Sequence, residues 1–584
     1  SGYLNISNAT IEGNHASSGG GIQNVSGGNG GGNVVITGGT IRNNSATYGG
    51  GIATTSTVTT SGANYTGNSA TDGGAIHINS GASVTVNSGT FSGNKASNNG
   101  GAFMNWSGRL AVNNTAVTGN TASVYGGGIY NHSTLTLSNA NISSNTANQY
   151  GGGILTDTAI TFANGTIAGN KAQGFGGGIF ANASVTLSGG TIRDNQAVTQ
   201  GGGGVYVNYG NISLSGTNLT GNKAAQSGGA IATYAQDGKS LTITHTKGEI
   251  SGNSATNGGA IALGNNVKLN LNGGTIKNNT ATYSGGGVYV SGTGNMTMNS
   301  GNVQGNTAQE YGGGIFANNT TTLAGGTIQQ NKAVTQSGGG VYLNYKTLTL
   351  SGTNITGNSS GNVGGGVATY AKDGEASAVI NFTKGSVSGN SSRDGGGIFV
   401  GNNTKLTLNG GNIQNNTVTG AGGGIYVPAK ATAVLTTGTI SGNTANGGGG
   451  IKNIGSCTIN GASVTGNTAN SSGGGIHNDG TVTLSSGKID SNVSKNYAAG
   501  VDNGGTFNMT GGSISENKST RYGAGFRMWG GTLNMSGGSI TKNAAGTNGG
   551  GICINPAKNN SPVANITGGT ISGNTAAELG GGVW

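Results

Sequence analysis

Lys452, His477, Asp502, Arg527 and Cys553 follow one another at intervals of 25, 25, 25 and 26 residues. An ammonium, an imidazole, a carboxylate, a guanidinium and a thiol so far apart can act together only if a repeating fold stacks them. Asp479 and Trp529 each lie two residues beyond a member of this row. Stacked on successive coils, these side chains admit three readings: a solvated ladder of ion pairs, a ligand or glycan site with Trp529 as a stacking plate, or a catalytic cluster.

Upstream, the same column is mostly aromatic: Tyr206, Tyr289, Phe316, Tyr342, Phe399 and Tyr426, with Tyr209 and Tyr345 close to two of its members. The side chain after an inward apolar residue of a strand faces outward, so these rings are expected to form an exposed stripe. Such a stripe either stiffens neighbouring strands or binds sugar or protein. Two near-identical loops, 232–238 and 368–374, add Tyr234 with Asp237 and Tyr370 with Asp373 as candidate binding residues.

Other chemistry finds little support. The 15 acidic residues are mostly isolated, whereas glycoside hydrolysis needs paired carboxylates and metal-assisted elimination an acidic cluster. No catalytic residue, metal or cofactor is therefore expected. The net charge of +10 is spread thinly, without the basic runs that bind nucleic acid. No stretch approaches the ~20 apolar residues of a membrane span. Cys457 and Cys553 fall about four coils apart, roughly 19 Å, too far for a disulfide.

The elements that would position these residues follow from the repeat. An apolar residue followed three positions later by Asn recurs in 22 units with a mean spacing of about 27 residues, and Asn145, Asn170, Asn195, Asn306, Asn331 and Asn443 are among its members. After each Asn come a small residue, a glycine cluster with an apolar residue, and a segment such as Thr134-Leu135-Thr136-Leu137 that alternates with period two. Glycine totals 126 residues without a three-residue period, and proline only 3, which excludes collagen; the glycine content equally opposes a helical bundle. The chain is expected to be all-β: a single right-handed parallel β-helix of about 22 coils of 26–27 residues, three short strands per coil. It reads as one continuous domain, 1–584, within a longer protein. Offsets of 136 residues mark a five-coil duplication, about 170–305 and 306–442. The Asn column is expected to form an inward ladder in which each amide bonds its own backbone and its neighbours.

Phe91-Ser92-Gly93-Asn94-Lys95-Ala96 with Gly100-Gly101-Ala102-Phe103 resembles the repeats of chlamydial polymorphic outer membrane proteins and related bacterial surface adhesins. Most units carry Ile or Val where that family favours Phe. The resemblance implies an extracellular, cell-surface adhesin passenger or stalk that is not an enzyme. Its partner would be a host or environmental glycan or a cell-surface protein, with self-association as a further possibility. A glycan-binding or carbohydrate-active β-helix is the alternative. Outward Thr pairs such as Thr57/Thr59 and Thr134/Thr136 raise ice binding as a remote one, although Arg109, Lys268 and Lys405 interrupt that column.

Overall fold

The computed structural model describes residues 2–27, 30–235, 239–371, 377–558 and 560–584. It contains two compact units, Ser1–Thr282 with Gly287–Asn295, and Tyr283–Gly286 with Met296–Trp584. Each is a right-handed parallel β-solenoid with three strands per turn, and together they comprise about 21 turns. No described segment is a helix long and apolar enough to cross a membrane.

Three kinds of strand recur because the sequence changes period three times per coil. In the first unit the alternating segments form the longest strands. Thr57–Thr66 runs parallel to Ser83–Ser92, matching Val58 with Val84 and Tyr65 with Phe91, all buried. The segment after the ladder Asn forms short strands such as Lys95–Ala96 and Thr121–Ala122, whose alanines turn inward. Ile52–Thr54, Ile76–Ile78, Phe103–Asn105 and Ile129–Asn131 follow the glycine clusters and align Ile52, Ile76, Phe103 and Ile129 in one buried column. The second unit repeats the pattern, with Ile425, Ile451, Ile476, Val501, Phe526 and Ile552 in the matching column. Among the described residues, strand pairing is parallel apart from Ser26–Gly27 against Gly30–Gly31.

The Asn column is a buried ladder, with a geometry that differs from the expected one. Asn170 donates through Nδ2 to the carbonyl of Ile142 on the preceding coil (2.8 Å) and to Oδ1 of Asn195 on the following one (2.9 Å). Its backbone N–H also donates to Asn195 Oδ1 (3.0 Å), while its own Oδ1 accepts both donors of Asn145. The amide thus bonds mainly its neighbours' backbone rather than its own, because the turn points it along the solenoid axis. Asn306 donates to Asn331, and Asn331 to Asn358, in the same way. The residue before each ladder Asn takes left-handed φ, as at Gly93 (φ 64) and Asn415 (φ 54), which explains the frequent Gly-Asn pair.

Gly126, Gly127 and Gly128 show what the glycine clusters are for. Gly126 has φ 64, a Cβ on Gly127 would lie 2.3 Å from the Gly152 carbonyl, and one on Gly128 would press on the Asn145 amide at 3.2 Å. One glycine makes the corner, one lets the next coil approach, and one leaves room for the ladder.

A shorter ladder, not anticipated from the sequence, ends the strands after the glycine clusters. Asn453 donates to Asn478 (2.8 Å) and Asn478 to Asn503 (2.7 Å).

Candidate functional site

In the second unit the register places Tyr426, Lys452, His477, Asp502, Arg527 and Cys553 side by side on six successive strands. In a parallel in-register solenoid a sequence interval of one coil becomes a contact between adjacent strands, roughly 4.8 Å apart.

The expectation of an exposed column is corrected by the structure. Tyr206, Phe316 and Tyr342 are buried, and Tyr289, Tyr345, Phe399 and Tyr426 are half-buried; among the named rings only Tyr209, Tyr234 and Tyr370 are well exposed. Asp237 and Asp373 lie outside the described residues. The reason is geometric: these strands are only three residues long, and side chains from the corner preceding the glycine cluster lean over them. Tyr125, Tyr150 and Phe175 pack on Leu155, Phe180 and Tyr206 in the first unit. Phe175 approaches Tyr206 at 4.4 Å between ring centroids, and Phe180 stacks on it at 5.3 Å. The copied positions behave alike within the second unit, where Tyr311 and Phe316 lie 4.7 and 5.5 Å from Tyr342. Sequence reading passed over the covering residues, although an aromatic immediately before a glycine cluster marks them.

The charged row is likewise a half-sealed network rather than a solvated ladder. Lys452 Nζ donates to Asp479 Oδ2 at 2.5 Å, and Asp479 Oδ1 lies 3.3 Å from His477 Nε2. On its other side His477 Nδ1 meets Ser472 Oγ at 3.1 Å and lies 3.6 Å from Asp502 Oδ2. Asp502, only 2% exposed, is 3.4 Å from Arg527 Nη1. Arg527 stacks its guanidinium over the Tyr497 ring at 4.4 Å, and its buried Nε has no hydrogen-bond partner among the described residues. Tyr497 stacks on Tyr522 and Tyr522 on Trp584, at 5.7 and 5.8 Å. Partial burial raises the Asp479 carboxyl, but hydrogen bonds from His477 and Lys452, with their charges, outweigh it and hold the pKa at about 2. Trp529 is set apart from this network. Its indole lies over Gly504, where any Cβ would fall 2.1 Å from the ring.

Ser472, His477 and Asp479 have the connectivity of a nucleophile, a base and an orienting acid. Acyl transfer also needs amide donors free to hold an oxyanion, and several of those around the adjoining cavity of about 280 Å³ are engaged elsewhere. Ala421 N donates to Asp394 Oδ1, Asn446 N to the Gly420 carbonyl, and Gly420 N to that of Arg393. No group of three or more His, Cys, Asp or Glu able to hold a metal occurs among the described residues.

Cys553 was expected to point outward, yet it is buried beside Arg527, and Cys457 is buried in the core. Burial raises both thiols to about 12, at Cys553 despite the opposing Arg527 charge. Ellman's reagent at pH 7 is therefore expected to find no reactive thiol in the folded chain and both after denaturation. Rapid labelling of Cys553 in the native state would contradict its burial.

On the alternating face, register sets Arg109 beside Thr134, Lys268 beside Thr242, and Lys405 beside Thr432. Cations thus interrupt the threonine column at these strands.

Comparison of the chain with protein-family models, with curated proteins and with solved structures returns no match. The fold itself defines the class: a parallel β-solenoid with an asparagine ladder.

Proposed function

We propose that the chain is a non-enzymatic binding scaffold of a bacterial surface, of adhesin-passenger or stalk type, that presents ligand-contacting side chains on the face after its glycine clusters. The observation that carries this reading is how chemistry is distributed over each coil. Most exposed aromatics, Tyr48, Trp106, Tyr209, Tyr234, Tyr283, Tyr370 and Trp584, lie on that face or at its corners, as do the ion pairs around His477. The other two faces carry mainly Asn, Ser and Thr at their outward positions. The repeat resemblance to bacterial adhesins supports an extracellular setting, and the occupied amides around Ser472 weigh against hydrolysis.

Beads coated with the purified chain are expected to attach to cultured cells or to immobilised polysaccharide without releasing reducing ends or unsaturated sugars. Attachment should weaken several-fold in Trp529→Ala, with the variant still folded as judged by its circular dichroism spectrum, since the indole lies half-exposed over Gly504 outside the core columns. Release of sugar products would favour a carbohydrate-active enzyme, and absence of attachment to any surface would reduce the chain to a spacer.

A further inference from the structure

Near the start of the first unit, the column that holds ion pairs in the second reads Gln23, Ala53, His77 and Met104 on successive coils. Ala53 leaves a dip there, and larger side chains rise at both corners. The result is a cleft of about 550 Å³, within the usual range for small-molecule sites.

We propose that this cleft binds a neutral oligosaccharide, held between the rings of Tyr48 and Trp106, with Asp72, His77 and the surrounding amides bonding its hydroxyls. Two features of the lining argue for it.

The first is the rings. Tyr48 is 47% and Trp106 50% exposed, unlike the covered aromatics further along this face. Both are held in place: Tyr48 lies 5.2 Å from His77, and Trp106 4.8 Å from His132, which in turn pairs with Asp157. Fixed, half-exposed aromatic rings flanking a polar floor match the alternating apolar and hydroxylated faces of a pyranose.

The second is a set of polar groups positioned but not satisfied. Asp72 Oδ1 accepts from Asn98 Nδ2 and from the Asn99 N–H, both at 3.1 Å, which fixes the carboxylate, while Oδ2 has no partner among the described residues. His77 is only 7% exposed and neither ring nitrogen is hydrogen-bonded among the described residues, yet neither is sealed from solvent. Asn99 Oδ1 is buried and unpartnered. Unmet groups of this kind are costly in a folded protein unless a ligand or water completes them.

Charge sets the class of sugar. No Lys or Arg lines the cleft and Asp72 does, so sialylated, sulfated or uronic sugars would meet repulsion. Burial lowers the His77 pKa, despite the opposing Asp72 charge, leaving a neutral imidazole that both donates and accepts at pH 7. This site goes beyond the adhesin reading: sugar binding here can fail while cells still attach elsewhere, and the reverse.

The chain has 3 tryptophans, so Trp529→Phe with Trp584→Phe leaves Trp106 as sole reporter. Its fluorescence would be titrated with cello-, malto-, manno- and N-acetylchito-oligosaccharides, and with sialyllactose and a heparin disaccharide. At least one neutral sugar is expected to give a saturable change, weakened about tenfold or more by Asp72→Ala. Tyr48→Ala, at an exposed ring, should weaken it comparably and keeps the test valid if Asp72→Ala misfolds. No saturable change with any neutral sugar, equal or tighter binding of the anionic ones, or indifference to Tyr48→Ala would overturn the proposal.

Discussion

Asn443→Ala is expected to destabilise the surrounding coils of the second unit by about 3–5 kcal/mol. Asn443 Oδ1 accepts the Asn416 N–H at 3.0 Å and Asn416 Nδ2 at 2.9 Å, and its own Nδ2 donates to the Ile413 carbonyl and to Asn467 Oδ1. Alanine removes the whole amide, leaving two donors of Asn416 and the Ile413 carbonyl unpaired where water has no access. Each orphaned buried group costs about 1–3 kcal/mol. In a solenoid the damage stays near the altered coil, because each coil contacts only its neighbours. Amide hydrogen exchange is therefore the sensitive measurement. Protection around Asn416, Asn443 and Asn467 should fall by about two to three orders of magnitude. Asn460→Ala, at an exposed Asn that only accepts from Ser485 and Ser486, should change stability by less than about 0.5 kcal/mol. Unchanged protection in Asn443→Ala would remove the ladder from the account of stability.

The first unit is expected to lose stability on mild acidification through His245. The ring is fully buried between Leu214 and Leu271 of the adjacent coils, and neither nitrogen has a side-chain or ion-pair partner among the described residues. Burial lowers its pKa from 6.5 to about 4, with the backbone of Gly248 and Lys247 offsetting only part of the effect. Above pH 6.5 the imidazole is neutral whether the chain is folded or not, and pH has no leverage through it. Between 6.5 and 4 the unfolded chain takes up a proton that the folded chain refuses, so stability falls with pH and levels off below 4. The full loss is about 3 kcal/mol. His77, lowered in the same direction by burial, adds to the slope within the same unit. Phe382 stands opposite Leu350 as His245 stands opposite Leu214, so the fold already accommodates a phenyl ring at this place. His245→Phe should accordingly flatten most of the difference between denaturant melts at pH 7 and pH 4.5. A variant as acid-labile as the parent would show that another group is responsible.

Much of the candidate site could be read along the chain, because an in-register parallel solenoid converts a period into a neighbour. His477 and Asp502 are 25 residues apart in sequence and directly paired in space, and the row from Lys452 to Cys553 needed no more than the repeat length. Contacts that leave the column were not legible. Ser472 meets His477 across a corner, and Tyr497 lies under Arg527 from the corner of the coil before. Both depend on the angle at which the chain turns, which the repeat does not encode. Burial escaped for the same reason: Tyr206 alternates as an outward residue should, yet Phe175, from another coil and another corner, covers it.

The sequence by itself determined the solenoid, its three strands per coil, the main asparagine ladder and the row from Lys452 to Cys553. These follow from periodicity and from glycine at positions where a side chain would strike the next coil. Only the tertiary structure decided which columns meet water. Exposure at a three-residue strand depends on how far the flanking corner side chains lean over it, a sum over neighbouring coils. Where Tyr125, Tyr150 and Phe175 close over the face it becomes core, and where Ala53 leaves a gap between Tyr48 and Trp106 it opens into a cleft.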